Sequence, residues 1–130
     1  MSAPNTPATL PPMRADRYVP LRRTIRVEGL DLTAATASMQ VRLNWNAGGS
    51  PLVSISTVAN ASGSLAFALD GLDTVITIDI AESVMEGLPY AAERSDDARF
   101  VWDMHITHAG RKAVWFRGDF VVVSGSTQDV

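Results

Sequence analysis

Apolar and polar side chains alternate along most of this chain, and the alternation predicts strands. In "TASMQVRLNW" Ala37, Met39, Val41, Leu43 and Trp45 fall on one face, and Thr36, Ser38, Gln40, Arg42 and Asn44 on the other. A half-buried strand requires this period of two, because successive side chains point to opposite faces. The turn residues of "NAGGSP" end the run, and "LVSIST" follows as a short strand. "GSLAFALDG" sets Leu65, Phe67 and Leu69 on one face and stops at Asp70-Gly71, a turn signal. "DTVITIDI" aligns Ile76, Ile78 and Ile80, and "RFVWDMHIT" aligns Phe100, Trp102, Met104 and Ile106. "HAGRK" reads as a turn into a last strand, "AVWFRGDFVVV". One piece, "AESVMEGLP", has helical character: Ser83 is its expected cap, Glu86 follows three residues on, and Gly87 and Pro89 end it after one turn.

About seven strands with turn signals between them, plus one short helical turn, predict an all-β fold: an immunoglobulin-like antiparallel β-sandwich. Residues 18–124 are assigned to the sandwich and residues 125–130 to a polar tail. Residues 1–17 are assigned to an extended arm, because five of the seven prolines lie within residues 1–20 and proline removes ladder donors. Such an arm is either a free tail or becomes ordered on another surface. The last strand can be phased two ways. Taking Val114, Phe116, Gly118, Phe120 and Val122 as core leaves Trp115, Arg117 and Asp119 outside. Trp115 is then a contact residue or is covered by the arm or a loop.

Composition narrows the class. The chain has 130 residues, 46% apolar and 19% charged, which fits one globular domain with its own core. It has no cysteine, so apolar packing must hold the sandwich without disulfides, and folding in a reducing cytosol fits. No apolar run approaches the roughly 18 residues of a membrane span, and the first twenty residues show no hydrophobic signal region. The net charge of −3 makes no general demand for nucleic acid. The charge is uneven, however. Residues 1–29 carry five arginines against Asp16 and Glu28, a net of +3, and the remainder carries six basic and twelve acidic groups, a net of −6. A basic lead on an acidic body is expected to dock on that body or on a neighbour.

The chemical motifs weaken under the same geometry. His105 and His108 are three apart, so a strand sends them to opposite faces, and no cysteine or third ligand stands near. Arg117-Gly118-Asp119 sits between "WF" and "FVVV", a strand interior rather than the exposed loop tip an adhesion motif needs. Gly118 leaves an inner-face gap, and Arg117 and Asp119 pair on the outer face. Asp70 and Asp73 flank a turn and read as its caps. Asp96-Asp97 reads as solvation, and no serine has a histidine or lysine at motif spacing. No catalytic set, cofactor or metal site is therefore expected.

"RADRYVPLRRTIRVEGLDLTAATASMQVR" resembles the opening of the immunoglobulin-like domains of phage and prophage tail proteins, including the N-terminal domain of baseplate upper proteins. The family's "D-L-T-G-A-T" stands here as Asp31 to Thr36 with Ala34 in place of the glycine, and "M-Q-V-R" as Met39 to Arg42. "TVITIDIAESVMEGLP" is similar to the family's strand, helical turn and "L-P", and "FVWDMHITHAGRKAVWFRGDF" to its closing hairpin. The loop "YAAERSDDA" is longer than the family's turn. The resemblance spans about residues 14–124. It implies a non-enzymatic structural protein of the tail tip, baseplate or fibre-attachment region, folded in the host cytoplasm. Its expected partners are other virion proteins in a multicopy assembly. The expected contacts are Arg14, Arg17, Arg22 and Arg23, with Tyr18 and Trp115 as apolar anchors beside Arg117 and Asp119. The alternative is a host-surface or carbohydrate-binding module, for which Trp45, Tyr90 and Trp115 are the candidate aromatics.

Overall fold

The computed structural model describes residues 7–46, 48–93 and 96–123, and the tail at 125–130 and the first six residues of the arm lie outside them. The elements in chain order are β1 (Ala8–Thr9), β2 (Met13–Asp16), β3 (Leu21–Val27), β4 (Thr36–Arg42), β5 (Val53–Ser56), β6 (Gly63–Asp70), β7 (Asp73–Ile80), α1 (Glu82–Glu86), β8 (Ala98–His108) and β9 (Arg111–Val123). They form an all-β sandwich of two sheets. One runs β1-β9-β8-β4-β5, with β2 also on β9, and the other runs β3-β7-β6. The alternating segments from Thr36 onward become β4 to β9, and Leu21–Val27 adds β3.

The core lies between the sheets. β7 contributes Ile76, Ile78 and Ile80. The facing sheet contributes Met39, Val41, Ile55, Phe100, Trp102, Met104, Ile106 and Phe120, all buried. The β3–β4 loop closes one end. Thr74, itself buried, donates its hydroxyl to the Leu30 carbonyl at 2.7 Å and accepts from the Leu32 N–H at 2.8 Å, which seats Leu32 in the core. Asp31 caps the same loop through the Thr33 N–H and hydroxyl, and this holds its carboxyl below the usual carboxylate range. Ala34 has no left-handed backbone there, so the turn does not require the glycine of the resemblance.

The residues of the arm that are described are part of the sandwich rather than an appendage. β1 and β2 run parallel to β9, pairing Thr9 with Arg117 and Met13 with Phe120, and Met13 and Ala15 are buried. Pro11 and Pro12, without N–H groups, explain why this edge strand is split in two.

Two hairpins use turn residues as expected. Gly71, at φ +66°, takes the left-handed position between Asp70 and Asp73, and Ala109 and Gly110 (φ +53° and +78°) join His108 to Arg111. Three expectations fail. Leu43 and Trp45 are exposed instead of lying on the core face, because β4 parts from β5 beyond the Val41–Val53 pair and from β8 after the Arg42–Val101 pair, and ends at Arg42. Ser83 does not cap α1: the cap position is Ala81, with no side-chain bond, and Ser83 lies inside the helix. Trp115 is buried, 4% exposed, rather than outward. The register shifts where Met104 faces Phe116 but His105 faces Val114, so Trp115 is an extra residue on β9. Such a bulge turns two consecutive side chains toward one face, and no fixed two-residue phase describes this strand.

Candidate interaction surface

The basic lead docks largely on its own body. Arg17, expected at a partner interface, is 4% exposed. Its guanidinium donates to the carbonyls of Leu88 and Pro89 and stacks 3.9 Å from the centre of the Tyr90 ring. Those carbonyls follow α1, where no helical donor reaches them, so a buried cation finds the acceptors it needs. Tyr18 hydrogen-bonds Tyr90 through the two hydroxyls at 3.1 Å. Arg14 lies 3.6 Å from Asp97, and Arg22 lies 3.9 Å from Asp79. Arg23 donates to the Arg22 and Arg14 carbonyls, which ties β3 to β2 across the gap between the sheets. Arg26 bridges Asp70 and Asp73. The Gly29 N–H and Arg26 together hold the Asp73 carboxyl below its ordinary range.

A second surface is the solvent face of the six-stranded sheet. Strand register sets its side chains in rows: Arg42 and Asp119 flank Val101, Gln40 and Arg117 flank Asp103, and Ser38 and Val114 flank His105. Opposite charges therefore face each other across β8 and β9 at Asp103 and Arg117. Trp45, 51% exposed, rises from the end of β4, and the Arg117 guanidinium lies 5.3 Å from its ring centre. Arg42 donates to Gln40 Oε1 and to the Gly49 carbonyl, each at 2.9 Å, and so braces the loop that carries Trp45. Beside that ring lies a hollow of about 140 Å³ walled by Gln40, Arg42, Val101 and Asp103. A second hollow of about 280 Å³, with His105, Lys112 and the hydroxyl residues Thr36, Ser38, Ser56 and Thr107, opens toward the β8–β9 turn.

Arg117 and Asp119 are exposed on this face as expected, but the aromatic residue beside them is Trp45 and not Trp115. Trp115 instead meets the edge of the His108 ring, with centres 6.4 Å apart. The outward phase of Gln40 and Arg42 was readable from the alternation. Their meeting with Asp103 and Arg117 was not, since it depends on how three strands register. The gap at Gly118 is filled: a Cβ there would stand 3.1 Å from Trp102 Nε1 and 3.1 Å from the Leu10 carbonyl oxygen. Arg117-Gly118-Asp119 is mid-strand, paired to β8 and to the lead. His105 faces solvent with Ser38, and His108 turns toward Trp115. Among the described residues no group of three or more histidine, aspartate or glutamate side chains could hold a metal, and no helix is long and apolar enough to cross a membrane. No protein-family model and no curated protein matches this sequence.

Proposed function

We propose that this chain is an immunoglobulin-like sandwich serving as a non-enzymatic structural protein of a phage tail, in the tail tip, baseplate or fibre-attachment region, where it docks on other virion proteins through the solvent face of its six-stranded sheet. The immunoglobulin-like identity is supported by the strand order. β3-β7-β6 corresponds to the B-E-D set and β9-β8-β4-β5 to the G-F-C-C′ set of a variable-type sandwich. The tail setting is supported by the resemblance in sequence. The observation that carries the docking surface is Trp45, half exposed, with Arg117 stacked on it amid rows of paired polar groups. Tryptophan and arginine are the residues most enriched where truncation costs a complex most.

The test is a pair of variants, Trp45→Ala and Arg117→Ala, scored by incorporation into particles. Neither side chain is in the core, so far-UV circular dichroism should not change. Incorporation should fall at least about tenfold, the effect of removing one anchor. Full incorporation of both variants would overturn the docking face. Deleting the lead is a poor test of assembly, because β2 buries Met13 and Ala15 and its loss would unseat the core.

A carbohydrate-binding role is the second reading, favoured by one observation. The hollow beside Trp45 combines an aromatic wall with Gln40, Arg42 and Asp103, the mixture that a sugar ring uses for stacking and hydroxyl bonding. A glycan array probed with the purified protein separates the two. A Trp45-dependent signal supports the sugar site, and its absence beside a loss of incorporation supports docking on protein.

A further inference from the structure

The open edges of the two sheets are guarded unequally. The β1–β2 edge carries Pro11 and Pro12. β5 is four residues long, and its Ser54 carbonyl accepts from Asn60 Nδ2 at 3.3 Å. β3 carries Arg22, Arg23 and Arg26, with Arg23 in the inward phase between Leu21 and Ile25. Prolines, short length and inward charges are the devices that stop strands from adding to an edge. β6 has none of them. Its eight residues run Gly-Ser-Leu-Ala-Phe-Ala-Leu-Asp, uncharged until Asp70, with an unbroken register on β7.

The direction of its free main-chain groups follows from that register. The Ala81 N–H donates to the Ser62 carbonyl at 2.9 Å, and this pair continues the β6–β7 ladder. Bonded pairs recur every second residue in an antiparallel ladder. Ser64, Ala66, Ala68 and Asp70 therefore turn their N–H and C=O groups toward β7, and those of Leu65, Phe67 and Leu69 point away from the sheet.

We propose that β6 is a pairing edge whose occupant is β6 of a second copy of this chain, antiparallel about a two-fold axis at Phe67. That register sets Leu65 against Leu69, Ala66 against Ala68 and Ser64 against Asp70, with no like charges opposed. Leu69, 50% exposed, then has an apolar neighbour. The same operation about Thr24 on β3 would set Arg22 against Arg26, a repulsive pair, so only one edge of this sheet suits self-association. The sheet would grow from three strands to six. The pairing does not depend on the tail role proposed above.

Sedimentation velocity over a concentration series tests it, joined to amide hydrogen exchange. A dimer should accumulate with concentration, and exchange at Leu65, Phe67 and Leu69 should slow with it. Ala66 and Ala68 are exposed on the sheet's outer face, so charges there leave the core intact. Ala66→Lys with Ala68→Lys opposes lysines twice across the axis and should weaken association about tenfold or more. Ala66→Glu with Ala68→Lys opposes glutamate to lysine twice and should restore it. A monomer at every concentration, or unchanged exchange at the three amides, overturns the proposal. A dimer weakened equally by both double variants overturns the axis at Phe67.

Discussion

The two edges of the three-stranded sheet flank the same isoleucines and solve the same problem differently. Across Ile78, β3 presents Arg23 and β6 presents Leu65. Leu65 is 2% exposed and part of the core, whereas Arg23 is exposed and spans to β2 through the Arg14 carbonyl. Across Ile76 the two edges match, with Ile25 and Phe67 both partly buried. The difference at Ile78 is one of both charge and burial. β3 seals its side of the sandwich with a cation that a second strand cannot bury, and β6 seals its side with apolar contacts that a second strand would extend. An edge can satisfy its own core without being closed to addition, and on β3 it is charge that closes it.

That contrast can be broken at several places. The largest effect is expected at the start of β6. Gly63 has φ +145°, and a Cβ there would lie 1.9 Å from the Asp79 carbonyl oxygen, so Gly63→Ala should cost about 4 kcal/mol from backbone strain and overpacking together. Leu21, its counterpart across Ile80 on β3, already carries a buried side chain. A mild Gly63→Ala, measured by urea unfolding, would show that β6 is no more tightly seated than β3.

Next, Leu65→Ala should cost about 3 kcal/mol as a truncated core residue, against under about 1 kcal/mol for Arg23→Ala, which loses solvated bonds to carbonyls. Equal losses in chemical denaturation would erase the contrast in burial. Arg23→Leu should move stability by less than about 1 kcal/mol yet make β3 adhesive, visible as increased light scattering. A variant as soluble as the parent would show that Arg23 is not the guard.

The smallest expected effect lies where Arg26 of β3 reaches Asp70 and Asp73 at the β6–β7 turn. The Asp73 carboxyl is held below its unfolded value by the Gly29 N–H and Arg26. Its contribution is therefore present above about pH 4, the unfolded carboxylate value, and is lost as pH falls through the lower folded value. Stability curves of the parent and Asp73→Asn should separate above about pH 4 and converge below it. Curves that remain parallel throughout would deny the ion cluster any part in joining the edges.

Much of the fold was legible because its signals are local. Ile76, Ile78 and Ile80 alternate and are buried, as are Phe100, Trp102, Met104 and Ile106. The candidate surface was legible only in part. Arg117 and Asp119 are outward, but Trp115 needed the bulge to turn it in and Trp45 needed the end of β4 to turn it out. Arg17 looked like an interface cation because its acceptors, the carbonyls of Leu88 and Pro89, lie 71 and 72 residues away. A charge is read as exposed until acceptors that can bury it are known.

By itself the sequence determined which residues can share a face, where the chain must turn and which segments from Thr36 onward are strands, because side-chain period and turn conformation are properties of a few adjacent residues. The tertiary structure decided which strands are neighbours and in what register. It paired the proline-rich lead with β9, inserted Trp115 as a bulge opposite β8, gave the arginines from Arg14 to Arg26 partners in their own chain and left β6 as the unguarded edge. Those outcomes depend on which distant groups become neighbours when two sheets close on one core, and no local period encodes that choice.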